Sequence, residues 1–550
     1  MRFSPEFLNR LREARTLVAQ NRFSEAEVLY QELLSTGEGR EGLLRELFQL
    51  YMQLKRPADA IACLERLAQV VPAKPEYWLH MAELAQSVGN FAKAISAYRA
   101  FLRKVPDRPN IIFNFAHLLK RAGFPEEALE RYRAALQKNI SVQEEVYTNI
   151  GVIYSELRRE REARQSFEKA LELNEKYIPA IINLAGLLEE SGDRSSASDY
   201  YRRALALDDS CYLALCRLAH LRRAQSEDDP LIEQISSLVA RKDLSTADLE
   251  ELNFALGKLL DDCGNYDRAF SSYEVANKLG ALRFAPYDRA RHTKSIDDLI
   301  QFFSRDWFAI KHSALTEAPV FICGMFRSGS TLVEQILSGH SGITAGGELE
   351  FFPQLIRDLH KRYPHVLAER QIQYFEQIGG EYLNFLEKRF PSGMLVTDKR
   401  PDNFLHVGLI KSVLPKARFI WTRRGLLDNC LSVYFQQLGG EMNYSVDLDS
   451  IGHYYTQQVR LMRHWKSLFP DSVFEFSYEQ LVANSEVEVR RLLEFLELPW
   501  EAACLDFSSR VNYVKTASIW QVRESIHQKS AARHKCYEPY LKVLEKYLSD

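Results

Sequence analysis

Ala26, Ala60, Ala94, Ala128, Ala163 and Ala197 recur every 34 or 35 residues, and four positions after each stands Tyr30, Leu64, Tyr98, Tyr132, Phe167 or Tyr201. Twelve positions before each alanine is Ala14, Phe48, Ala82, Ala116, Gly151 or Ala185, mostly small residues that let two helices approach closely. Each unit therefore reads as a helix pair. GNFAKAISAY (89–98) and GFPEEALERY (123–132) show the turn glycine followed by the second helix, and Pro72 and Pro106 close their units. After Asp209 the period breaks across QSEDDPLIEQ, then returns with Gly257, Ala269 and Tyr273 in the same three roles, giving seven recognisable units. These are packing positions, because each unit buries its apolar face only against its neighbours.

The period and the small/aromatic pattern resemble the tetratricopeptide repeat family. That resemblance implies an all-α solenoid over residues 1–280 whose concave surface binds a protein or peptide, with the partner left open. A helical linker is expected over 281–317. From residue 318 to 550 the pattern changes to alternating strands and helices, which predicts a P-loop-like α/β domain with a parallel sheet. Hydrophobic residues make up 46% and charged residues 26% of the 550, enough apolar material for more than one core. The formal charge of -3 leaves no net electrostatic footprint for nucleic acid or an anionic membrane, so any anion site is local. The eight cysteines contain no CxxC pair, the N-terminus lacks the apolar core of a signal peptide, and no apolar stretch is long enough to span a bilayer. A cytoplasmic location is the expectation.

FICGMFRSGSTLVEQIL (321–337) holds the first chemical signal: a β-prone run, a Gly/Ser/Thr-rich turn, then helical spacing. A strand-to-helix turn aims backbone N–H groups and the positive helix end at one place, which makes an anion site. The spacing from Gly324 to Gly329, Ser330 and Thr331 is that of a nucleoside triphosphate loop, with Ser330 where the lysine would stand. Without that lysine, triphosphate hydrolysis is disfavoured. Arg327 instead puts a charged fork in the turn, suited to a phosphate or sulfonate. In ARFIWTRRGLLDNCLSVYF (417–435) a strand is expected to end at Arg424, with Ser432 eight residues later on the next helix, so charge and hydroxyl converge on a second anion. No acidic metal ligand stands at that strand end, and no metal is expected. Two phosphate sites of this kind fit a nucleotide phosphorylated at both ends of its ribose.

FRSGSTLVEQIL followed by RRGLLDNCLS resembles the two nucleotide-binding motifs of sulfotransferases that use 3′-phosphoadenosine 5′-phosphosulfate (PAPS), especially the tyrosylprotein branch and tetratricopeptide-containing bacterial sulfotransferases. AGGELEFFP (345–353), VTDKRPDNF (396–404) and SYEQL (477–481) extend the match. The resemblance implies that Arg327, Ser328, Gly329, Ser330 and Thr331 hold the phosphosulfate and that Arg424 and Ser432 hold the 3′-phosphate. It further implies Glu348 as catalytic base, Lys399 assisting the transferring sulfuryl group and Tyr478 near the adenine. In the tail, Gln521, Arg523, Lys529 and Arg533 would wrap the nucleotide. Phe326 where proline is frequent, Ser330 for threonine and Gly425 for an acidic residue or histidine depart from the family pattern without removing a charge or a needed hydroxyl.

Simpler readings exist for several of these. Glu348 can cap the adjoining helix, Lys399 can pair with Asp398 or Asp402, and Tyr478 can pack a strand end. Glu350 reads as a solvated helix residue, Arg423 as a neighbour of the site and His340 as a helix C-terminal residue, while His360 and His406 lie outside any matching motif. The expected function is transfer of a sulfuryl group from PAPS to a hydroxyl, a protein tyrosine recruited by the repeats. The alternatives are a carbohydrate, lipid or small-metabolite acceptor, or a repeat scaffold without catalysis.

Overall fold

The structure, a computed structural model, describes residues 3–359, 362–390, 393–506 and 532–548. The chain forms two compact units, Met1–Leu187 and Leu188–Asp550. In the first, antiparallel helix pairs succeed one another: Pro5–Ala19 with Phe23–Ser35, Arg40–Gln53 with Pro57–Val70, Glu76–Ser87 with Phe91–Lys104, Pro109–Arg121 with Pro125–Gln137, and Gln143–Glu156 with Glu160–Leu173. The periodic alanines Ala26, Ala60, Ala94, Ala128 and Ala163 are fully buried, and the aromatic or leucine four residues later is nearly so. Their small partners are needed for contact. A Cβ on Gly151 would stand 2.5 Å from the Phe167 ring, so glycine there lets the two helices of its pair close.

The second unit begins with further helices, among them Arg194–Leu207, Tyr212–Leu221, Pro230–Val239, Thr246–Asp262 and Tyr266–Ala281. Gly257 and Tyr273 repeat the glycine-on-ring contact at 2.9 Å. This last pair packs directly on the C-terminal half of the unit. The Tyr273 ring stacks on Phe435 at 3.9 Å, Phe270 stacks on Tyr540 at 4.1 Å, and Asn277 Nδ2 donates to the Tyr434 carbonyl at 2.8 Å. Two helices, Arg289–Phe302 and Arg305–Ile310, lead to the sheet.

Five strands, β1 (Val320–Gly324), β2 (Ile343–Ala345), β3 (Leu395–Lys399), β4 (Arg418–Arg423) and β5 (Val473–Ser477), form a parallel sheet in the order β2-β3-β1-β4-β5. Every residue of β1 is buried, as a central strand covered on both faces requires. Phe321 and Cys323 face a core with Phe352, Tyr382, Trp421 and Trp465, while Val320 and Ile322 face one with Val333, Ile336 and Leu492. β4 ends at Arg423, so Arg424 begins the turn after the strand. No described helix is long and apolar enough to cross a membrane.

Candidate active site

In a parallel sheet, ligands gather beyond the carboxyl ends of the strands. β1 leads there into the turn 325–329 and the helix Ser330–Leu337. Gly324 passes so close to β4 that a Cβ would lie 2.4 Å from the Thr422 carbonyl oxygen. The turn is tied by buried groups: Ser328 Oγ donates to the Met325 carbonyl at 2.6 Å and lies 2.7 Å from Thr422 Oγ1, and Asn429 Nδ2 donates to the Phe326 carbonyl at 2.9 Å. Arg327 and Gly329 both have positive φ, 67° and 101°, which folds the turn back on the helix start. For arginine that backbone is uncommon and costs energy, and such strain collects at functional sites. Ser330 and Thr331 are buried in the first turn of the helix.

Arg327 Nε donates to Ser432 Oγ at 3.2 Å, and Arg424 Nη1 reaches toward the Arg327 carbonyl at 3.5 Å. The two sequence motifs expected to bind anions are therefore contiguous, Arg327 of the first touching Ser432 and Arg424 of the second. Burial, together with the Arg424 and Arg533 guanidiniums, pushes the Arg327 pKa below its ordinary value. An anion would relieve that crowding of like charge. Arg424 lies over the Tyr478 ring, 4.9 Å from its centroid, and its carbonyl accepts from Tyr455 Oη at 2.8 Å. Tyr478 also lies against the turn, 3.2 Å from where a Gly329 Cβ would be, so its ring forms a wall between the turn and Arg424.

On the other side of β1, a two-glycine loop carries Glu348. Gly346 N donates to the Thr397 carbonyl at 3.0 Å, Gly347 N to Glu334 Oε1 at 2.9 Å, and Lys399 N to the Gly347 carbonyl at 2.9 Å. Gly346 has no room for a side chain, since a Cβ would meet Thr397 O at 2.3 Å, and Gly347 adopts φ +68°. Glu334 comes from the helix that begins at the anion turn, and Thr397 Oγ1 also donates to it, at 3.1 Å. Lys399 Nζ donates to Glu348 Oε1 at 2.6 Å, with the lysine buried and the glutamate partly exposed. Lys399, at the end of β3, therefore pairs with Glu348 and not with Asp398 or Asp402, the simpler alternative. Asp398 points elsewhere, accepting from Asn403 Nδ2 at 3.0 Å and Tyr382 Oη at 3.1 Å. Burial pushes its carboxyl up to about 7, against those two hydrogen bonds.

Glu350 pairs with Arg357 and Arg400 just ahead of the helix Phe351–Leu359. Arg423 turns away to Glu475 at 2.5 Å, and His340 Nε2 meets the Pro499 carbonyl at 3.0 Å. His406 is buried, which pushes its pKa down to about 3 and disfavours its taking up a proton. Arg533 lies beside the helix Leu426–Tyr434 that carries Ser432, 5.2 Å from the Phe435 ring centroid. Gln521, Arg523, Lys529 and His360 lie outside the described residues. Sequence reasoning missed Glu334, Thr422 and Asn429, which tie the two halves of the site together. Among the described residues no group of three or more His, Cys, Asp or Glu side chains is placed to hold a metal ion.

The arrangement gathers the Arg327 and Arg424 guanidiniums around one turn, with the Glu348 carboxylate and the Lys399 ammonium paired across β1. Residues 319–502 match the sulfotransferase family, and 47–113, 144–177 and 180–211 match tetratricopeptide repeats. An uncharacterized protein of Aquifex aeolicus (strain VF5) is 30% identical over 421 residues, covering 72% of this chain and 54% of that protein. Protein-tyrosine sulfotransferase A of Caenorhabditis elegans is 25% identical over 228 residues, covering 39% of this chain and 58% of its own, and protein-tyrosine sulfotransferase 1 of Danio rerio is 24% identical, covering 38% and 61%. The chain thus spans little more than half the length of these curated relatives. Among solved structures, the sulfotransferase domain of the Synechococcus olefin synthase is 17% identical with a TM-score of 0.33, covering 40% of this chain and 88% of that one. A tetratricopeptide repeat protein from Parabacteroides merdae is 20% identical with a TM-score of 0.34, covering 44% and 93%. Residues 319–502 thus form a domain of the sulfotransferase family, preceded by tetratricopeptide repeats.

Proposed function

We propose that the protein transfers the sulfuryl group of PAPS to a hydroxyl acceptor, a protein tyrosine brought to the site by the repeats. The observation that carries this reading is the convergence of Arg327, Arg424 and Ser432 at one mouth of the sheet, with the Glu348–Lys399 pair across β1. Arg327 and the turn Ser328, Gly329, Ser330 and Thr331 suit the 5′-phosphosulfate, and Arg424 with Ser432 suits the 3′-phosphate. Tyr478 offers a ring face for the adenine, and Arg533 adds positive charge from the C-terminal segment.

The chemistry asks for a proton acceptor and a cation. Glu348 takes the proton of the acceptor hydroxyl while that oxygen bonds to sulfur. The bond between sulfur and the bridging oxygen breaks, its electron pair staying on the 5′-phosphate, and Lys399 with Arg327 stabilises that charge. The products are a sulfate ester and adenosine 3′,5′-bisphosphate. A phenol, with a pKa near 10, loses its proton more easily than an alcohol, which favours tyrosine. The similarity to the protein-tyrosine sulfotransferases of Caenorhabditis elegans and Danio rerio supports the same acceptor.

The test is incubation of the full chain with radiolabelled PAPS and a lysate of the source organism, followed by separation of protein, glycan and small molecules. Label on protein tyrosine is the expected result. Label on glycan or metabolite alone would replace the acceptor while keeping the reaction, and no transfer to any fraction would favour a scaffold.

A further inference from the structure

We propose that Asp261, on a repeat helix ahead of the sulfotransferase domain, is a positioning residue of the donor site: it holds Arg533 in place as a third guanidinium beside Arg327 and Arg424. The inference rests on the reading of that arrangement as the PAPS site.

The backbone on either side of Arg533 is fixed by the helix that carries Ser432. Asp428, one turn before Ser432, accepts from Ala532 N and His534 N at 2.8 Å each and pairs with His534 Nδ1 at 3.0 Å. Phe435, three residues after Ser432, lies under the Arg533 guanidinium at 5.2 Å. Arg533 is thereby brought to the turn of helix that presents Ser432 to Arg327. Its side chain is then gripped from a different part of the chain: Nη2 pairs with Asp261 Oδ2, and Tyr537 Oη donates to Asp261 Oδ1. Asp261 lies at the end of the helix Thr246–Asp262, whose partner helix Tyr266–Ala281 packs on Phe435 and Tyr537 through Tyr273 and Phe270.

Three guanidiniums at one mouth repel one another when no anion is bound. The long Arg533 side chain would relieve that repulsion by swinging into solvent. Asp261 offsets the repulsion and keeps the rotamer, so the arginine is ordered before the ligand arrives. Guanidinium has five N–H donors, so pairing with a carboxylate on one edge leaves others for a phosphate. The last repeat pair is in this account part of the donor site rather than only a neighbour of it.

The experiment is calorimetric titration of adenosine 3′,5′-bisphosphate into the full chain and into Asp261→Ala, Asp261→Asn, Arg533→Ala and the Asp261→Ala/Arg533→Ala double variant, with thermal melts to establish folding. Arg533→Ala and Asp261→Ala should each weaken binding about tenfold. The double variant should bind no more weakly than Arg533→Ala alone, because without the arginine only a negative charge near the anion has been removed. Asp261→Asn keeps an acceptor for Tyr537 and should weaken binding by a smaller factor, about threefold, which preserves the test if the alanine variant does not fold. Unchanged or tighter binding by the Asp261 variants, or losses that add in the double variant, would overturn the proposal. If the unaltered chain does not bind the bisphosphate, the donor reading itself fails.

Discussion

Lys399 Nζ stands 2.6 Å from Glu348 Oε1, joining across 51 residues of sequence the two groups that a sulfuryl transfer asks for. The buried ammonium anchors the carboxylate, so the position of the proposed base is set before any substrate arrives. Replacing Glu348 by Gln should leave affinity for adenosine 3′,5′-bisphosphate unchanged and lower single-turnover transfer by about 10²–10⁴-fold. Glu350→Gln is the control, since Glu350 is an exposed neighbouring carboxylate that pairs with Arg357 and Arg400 rather than with Lys399. Full transfer by the Glu348 variant would move the base elsewhere.

Glu334 ties the Glu348 loop to the helix that starts at the anion turn. Glu334→Ala leaves Gly347 N and Thr397 Oγ1 without that acceptor in a buried place, a loss of about 1–3 kcal/mol in stability. Transfer should fall more than bisphosphate affinity does. Glu334→Gln keeps an acceptor oxygen and should restore most of the activity. Equal losses of affinity and transfer in the alanine variant would mean that the helix, and not the loop, had moved.

Two glycines separate the stability of the repeats from that of the site. Gly346→Ala places a Cβ 2.3 Å from the Thr397 carbonyl oxygen, which cannot yield without breaking the β2–β3 connection, so transfer should be abolished. Gly151→Ala meets the Phe167 ring at 2.5 Å and should cost about 1–3 kcal/mol in the melting of the repeat unit while bisphosphate affinity holds. Loss of nucleotide binding in the second variant would contradict that separation.

Much of this site is legible in the sequence, and the limits have physical causes. The anion turn stands out because strand, Gly/Ser turn and helix are consecutive, so Arg327 is placed by local geometry alone. The repeat period is legible for the same reason: alanine and aromatic positions recur within one helix pair. Arg424, expected as the last strand residue, lies one residue beyond it, an ordinary uncertainty of strand ends. Lys399's partner is not legible, because the pairing of β2 with β3 decides which acid the lysine meets. Glu334 reads as any polar residue in an apolar helix pattern, and Asp261 as a solvated repeat residue, until the fold brings distant segments to them.

Asp398 gives a pH signature. Burial raises its carboxyl to about 7 in the folded protein from the usual value near 4, so the folded state binds the proton more tightly than the unfolded one. Its contribution to stability is therefore fully present below about pH 4 and is lost as pH rises toward 7. Arg400 opposes the shift and Glu334 adds to it. Asp398→Asn, which cannot ionise, should lose less thermal stability than the unaltered chain between about pH 5 and 7.5. Parallel melting curves over that range would contradict the burial account of this residue.

The most direct test of the account is the affinity of the full chain for adenosine 3′,5′-bisphosphate against AMP, measured by calorimetry without and with magnesium. If Arg327 and the turn hold one phosphate while Arg424 and Ser432 hold the other, losing the 3′-phosphate removes charge-assisted contacts worth about 1.5–3 kcal/mol each. The bisphosphate should then bind at least about tenfold more tightly, with magnesium making no difference, and Arg424→Ala should erase most of the gap. Equal affinity for the two nucleotides, or binding that requires magnesium, would contradict a site built for a nucleotide phosphorylated at both ends of its ribose.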